Sequence, residues 1–85
     1  MANLEHVKIL KAGIEIWNRW RQDNPDIIPD LSGVDLRGYN LIEADLTEAQ
    51  LSWANLSGAK ISAGQLEQAA DLEGIILPDG STVED

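Results

Sequence analysis

The sequence predicts a solenoid, a stack of short repeats closed at one end by an amphipathic helix, and three observations predict it. An aliphatic residue returns at every fifth position from Leu31 through Leu36, Leu41, Leu46, Leu51 and Leu56 to Ile61. A helix places apolar residues three and four apart and a strand places them two apart, so a period of five belongs to neither. It belongs to repeats that bury one residue each only by stacking on the repeats above and below. The second observation is a broadly apolar segment ahead of the repeats, too hydrophobic to stand alone. The third is the absence of cysteine from a chain of 85 residues, which leaves packing alone to hold a small core.

The elements follow in order within one domain, 1–85. Residues 3–22 read as a single helix: Leu4, Val7, Leu10, Ile14 and Trp17 recur at threes and fours, and Ile9, Gly13, Ile16 and Trp20 form an adjoining row. Asn3 is placed to cap it, and Asp23-Asn24-Pro25 stops it, because the residue before proline disfavours helix. Gly13 in mid-helix costs about 1 kcal/mol relative to alanine, which a close backbone approach would explain. An open end of a stack exposes unpaired backbone, so Ile9, Gly13, Ile16, Trp17 and Trp20 are expected to lie across the first coil as its lid. Asp26 to Asp30 then bridge helix and repeats, with Ile27 and Ile28 tucked into the junction.

The repeats run over 29–63 as PDLSG, VDLRG, YNLIE, ADLTE, AQLSW, ANLSG and AKISA. The residue two before each aliphatic is small at Ala44, Ala49, Ala54 and Ala59, whereas Val34 and Tyr39 are bulkier and are expected to reach toward the lid. Beyond Ile61 the register slips by one, leaving ADLEG and IILPD out of phase, which predicts a break in the stack. A cap over 62–80 takes its place. Ser62 with Gln65 three residues on has the form of a capping box, starting a short helix to Glu73 that Gly74 ends. Ile75, Ile76 and Leu77 return over the last coil before a Pro78-Asp79-Gly80 turn, and 81–85 form a polar tail.

The A(D/N)Lxx pentads, plain in ADLTE and ANLSG, resemble the pentapeptide-repeat family. The frame around them, a tryptophan-bearing helix before DLSG and a close of the LEGIILPDGS kind, is similar to members especially numerous in cyanobacteria. The resemblance implies a right-handed quadrilateral β-helix with one pentad per side and four per coil, here of about two coils. It places Leu31 under Leu51, Leu36 under Leu56 and Leu41 under Ile61. With both ends capped, a monomer is expected.

Charge and chemistry narrow the function. Residues 1–22 carry four basic groups against two acidic ones, and 23–85 carry only Arg37 and Lys60 against thirteen carboxylates, so the net charge is −9. Such a body is a poor ligand for nucleic acid, whose phosphates call for Lys and Arg. Among acidic members of the family, long dimeric β-helices imitate duplex DNA and engage type II topoisomerases. A helical turn of DNA spans about 34 Å, whereas two coils at the strand spacing of about 4.8 Å stand only about 10 Å tall, which disfavours that alternative.

No apolar run approaches the ~18–20 residues of a membrane span, and the charged N-terminal segment is unlike a signal peptide. The chain reads as soluble and cytoplasmic. His6 has no cysteine beside it, and the serines at Ser32, Ser52, Ser57 and Ser62 follow the repeat, so no enzyme is expected. Asp23, Asp26 and Asp30 match no calcium-loop spacing, and no phosphate or dinucleotide motif is present, so neither metal nor cofactor is expected. What remains is a non-catalytic scaffold or interaction module for an unknown protein partner. Trp53 and Ile42, apolar at positions the pentad scheme turns outward, are the candidate contacts, with packing of Trp53 on Ile27 or Ile28 as the alternative.

Overall fold

A computed structural model describes residues 2–82, so the expected tail lies outside the described residues from 83 onward. Its regular elements are three helices, α1 (Leu4–Lys11), α2 (Ile14–Asp23) and α3 (Ala63–Gln68). Among the described residues the repeats make isolated β-bridges that do not extend into strands or a sheet.

The expected single helix over 3–22 is two helices. Asn3 does cap the first, its side chain accepting from the Glu5 and His6 amides, but α1 ends at Lys11 and Gly13 becomes the N-cap of α2. Gly13 sits at φ 133°, ψ 156°, a conformation open to glycine and costly for L side chains. A Cβ built there would meet nothing within 4 Å, so its role is the backbone bend and not a close approach. The bend lets the two helices follow the end of the repeat stack instead of projecting past it. Asn24 closes α2, its side chain donating to the Trp20 carbonyl (2.9 Å).

Each pentad turns a corner in the same way. The amide two residues before the next aliphatic donates back to the previous one's carbonyl, as in Ala54 to Leu51 (3.0 Å) and Ala59 to Leu56 (2.8 Å). The third residue of each turn takes positive φ, the signature of a type II turn. Successive levels pair in parallel at twenty residues, Asp30 with Gln50, Asp35 with Asn55 and Asn40 with Lys60. Leu31, Leu36, Leu41, Leu46, Leu51 and Leu56 point inward and are at most 1% exposed, with Ala44, Ala49, Ala54 and Ala59 buried between them. Ile61 departs from this set: it is only half-buried, because no described residue continues the third side above it.

The slip after Ile61 does not end the stack. Ser62 and Gln65 form the capping box in both directions, but α3 stops at Gln68, five residues before the expected end. Ala70 then donates to the Ala49 carbonyl (2.9 Å), Gln50 pairs with Asp71 and Asn55 with Ile76, now at twenty-one residues. Pairing with the level below outweighs helix propensity at Ala69 and Ala70. The extra residue accommodates α3 on the fourth side of the second level. Gly74 therefore caps no helix; it turns a corner of the third level at φ 69°.

Candidate functional site

A corner that turns with positive φ suits glycine, and Gly33, Gly38, Gly58 and Gly74 occupy such corners at φ 69–74°. Three side chains share the conformation, Glu43, Glu48 and Trp53, the last at φ 63°. The left-handed region costs about 1–2 kcal/mol for an L-residue, and a bulky residue there is unusual. Trp53 nonetheless remains 65% exposed. Its amide donates to the Glu73 carbonyl (2.7 Å), and the six-membered part of the indole lies directly over Gly74, one level on. The ring thus rests one face on a residue with no side chain and leaves its remaining surface to solvent. It packs against Gly74, while Ile27 and Ile28, expected in the junction, are 41% and 54% exposed.

Ile42 is also exposed, at 44%, but it belongs to the third side of the first level, whereas Trp53 belongs to the first side of the second. The two do not form one patch. The first side, read through its levels, carries Asp30, Ser32 and Gly33, then Gln50, Ser52 and Trp53, then Asp71, Glu73 and Gly74, with three carboxylates and no basic residue. Asp30 accepts from both the Ser32 hydroxyl (2.7 Å) and amide (3.1 Å), and Asp71 accepts from the Glu73 amide (3.0 Å). The Ser32 hydroxyl is the largest influence holding the Asp30 carboxyl below its ordinary range. Among the described residues the single ion pair, Arg37 with Asp35, lies on the second side.

The lid is built from other residues than the apolar set alone. Trp17 is fully buried and Trp20 packs half-buried against it (ring centroids 5.2 Å apart) and against His6 (4.9 Å). Ile9 is partly buried against the core, whereas Ile16, expected in the lid, is 54% exposed and lines an outer groove of 370 Å³ with Glu15, Arg19, Trp20 and Asp23. The bend at Gly13 turns its face away, and Leu10, 2% exposed, joins the core. Val34 packs half-buried against the core, and Tyr39 is 37% exposed with the Lys11 ammonium 5.6 Å from its ring centroid.

Polar residues complete the closure. The Asp30 amide donates to His6 Nδ1 (3.0 Å) and the Asn3 amide to the Asp30 carbonyl (3.0 Å). On the fourth side the Asp45 amide donates to Asn18 Oδ1 (2.8 Å), while Trp17 Nε1 donates to the Asp45 carbonyl (2.9 Å) and Arg21 to that of Thr47 (2.8 Å). Burial raises the Asp45 carboxyl, but the Thr47 hydrogen bonds and Arg21 outweigh it and leave it below its ordinary value. At the other end Gln65 donates to the Leu41 (2.7 Å) and Ala44 (2.8 Å) carbonyls. Sequence reasoning missed His6, Asn18 and Arg21. The only signal was position: His6 lies four residues before Leu10, and Asn18 and Arg21 flank Trp17 at one and four, polar residues at the margin of the apolar face.

With this geometry in view, residues 30–62 match the family model for pentapeptide repeats (8 copies). The chain carries pentapeptide repeats, and such repeats imply a β-helix-like fold and a repeat or interaction module. No curated protein and no solved structure was found to match the chain. The matched stretch ends where α3 interrupts the register, so the pairings made by Asp71 and Ile76 lie beyond it. No described helix is long and apolar enough to cross a membrane.

Proposed function

We propose that the chain is a right-handed, four-sided β-helix, closed by its N-terminal helices and α3, that acts as a cytoplasmic, monomeric, non-catalytic interaction module. Trp53 is its anchor for a protein partner. The carrying observation is the pairing of cost with exposure: Trp53 accepts a left-handed backbone where glycine would be unstrained, yet stays 65% exposed. Packing on Gly74 leaves most of the indole uncovered, and large aromatic side chains dominate contact energies when a partner desolvates them. The isolated parallel bridges at a twenty-residue interval support the β-helix.

The test is affinity capture from a lysate of the source organism with wild type and Trp53→Gly, which suits the corner's backbone and leaves net charge unchanged. One specific protein retained by wild type and lost by the variant, with circular dichroism unchanged, is expected. Equal retention by both refutes Trp53 as the anchor. Sedimentation at micromolar concentration is expected to give the mass of one chain.

A further inference from the structure

We infer that the partner presents arginine to this site, a guanidinium stacked on the open surface of the Trp53 indole and held at its edge by the Glu73 and Asp71 carboxylates. The inference rests on the reading of Trp53 as the contact residue and adds the partner's chemistry.

The ring supplies the first half of the argument. Because Gly74 underlies it, one face of the indole is pressed against backbone, and a planar π-surface is left outward at the corner. An indole face carries the negative part of the ring quadrupole and is the best of the aromatic cation acceptors. The guanidinium group is planar, weakly hydrated and able to stack while its N–H groups still donate in plane. An ammonium, compact and strongly hydrated, uses that geometry less well.

The carboxylates supply the second half. Trp53 donates its amide to Glu73, so Glu73 stands on the level immediately above the ring, and Asp71 lies two residues before it on the same side. The Glu73 side chain makes no hydrogen bond or ion pair among the described residues, and Asp71 commits only Oδ1, to the Glu73 amide. The side as a whole has Asp30, Asp71 and Glu73 and no lysine or arginine. An anionic or purely apolar partner would have to desolvate these carboxylates unpaired, whereas an arginine pairs them and covers the ring in one contact.

The probes are hexapeptide amides alternating glycine with arginine, with lysine or with glutamate, titrated into ¹⁵N-labelled protein in low salt. Binding is followed at the Trp53 indole N–H and the Asp71 and Glu73 amides. The arginine peptide is expected to shift all three saturably, more tightly than the lysine peptide. Trp53→Gly is expected to weaken it about two- to fivefold at unchanged net charge, and Glu73→Gln to weaken it further. Equal affinity for wild type and Trp53→Gly overturns the inference, since charge alone then explains binding. If the glutamate peptide moves the Trp53 indole and the arginine peptide does not, the contact stands and its cationic partner is overturned. If no peptide moves the indole, the inference falls, and the capture experiment decides separately whether Trp53 anchors a partner of another class.

Discussion

Gly74→Ala measures the contact that supports the Trp53 ring. A Cβ built on Gly74 falls within the van der Waals envelope of Trp53 Cε3, Cζ3 and Cδ2, and it must also adopt φ 69°. Gly33, at φ 71°, has nothing within 4 Å of the same atom, so Gly33→Ala carries the backbone cost alone. That cost is about 1–2 kcal/mol. The extra cost at Gly74 has a ceiling, because Trp53 is 65% exposed and can swing into solvent, losing only what it covers. About a third of an aromatic surface of ~250 Å² is ~90 Å², or about 2 kcal/mol at 25 cal/mol/Å². Gly74→Ala should therefore destabilise by up to about 2 kcal/mol more than Gly33→Ala, an additional fall in Tm of about 8–16 °C for a domain of this size. In the Trp53→Gly background the excess should vanish, a coupling that a double-mutant cycle in urea or by calorimetry reads directly. Equal costs at the two glycines, or an excess that survives removal of the indole, would refute the contact.

Three further outcomes follow from the lid. In hydrogen exchange the Asp35 and Asn40 amides, which have no partner among the described residues, should exchange faster than those of Asp30 and Asp45, which His6 and Asn18 hold; equal protection across the four would show that the lid covers every side. Trp17→Phe keeps an aromatic ring in a fully buried place but removes the donor to the Asp45 carbonyl, and should cost about 1–3 kcal/mol in denaturant titration. The Asp45 carboxyl is lowered on folding, so its contribution is present above the unfolded value and is lost as pH falls through the folded one. Melting temperature should accordingly hold above about pH 5 and fall below about pH 4, and Asp45→Asn, a residue the repeat uses at Asn40 and Asn55, should flatten that fall; an unchanged acid limb would contradict the assignment.

The repeat is legible because its period is incompatible with helix or strand, so the spacing of Leu31 to Leu56 is enough to declare their common interior. The lid is legible in kind and not in detail. Hydropathy finds the apolar rows of α1 and α2, but the bend depends on the φ of one residue, Gly13, and Ile16 moves outward with it. The hydrogen-bonding residues are hidden for a different reason. His6, Asn18 and Arg21 act on carbonyls and amides that every residue possesses, so no pattern among the repeat side chains advertises the need they meet. Only the requirement that a stack's end satisfy its backbone points to them, and it names no residue. Asp30, Asp45 and the Glu43 carbonyl, which accepts from Asn18 (2.9 Å), are served in this way, whereas the second side at Asp35 is not, and the expected lid over the whole coil is accordingly a partial one.

The slip after Ile61 joins the scaffold to the site. Ala70-Asp71-Leu72 reproduces Ala49-Gln50-Leu51 in position, and Ile75-Ile76-Leu77 reproduces Ala54-Asn55-Leu56, so the pentad pattern survives on both sides of α3 with one residue added between. A strict twenty-residue rule pairs Trp53 with Glu73. The observed twenty-one brings Gly74 to its corner, and only a residue without a side chain lets an indole lie flat there. The exposed ring therefore depends on three features at once: a left-handed corner at Trp53, a glycine above it, and a helix on another side that lengthens the second level by one residue. Each is visible in the sequence, but their coincidence at one corner emerges only when the phase break is read as an insertion into a continuing stack.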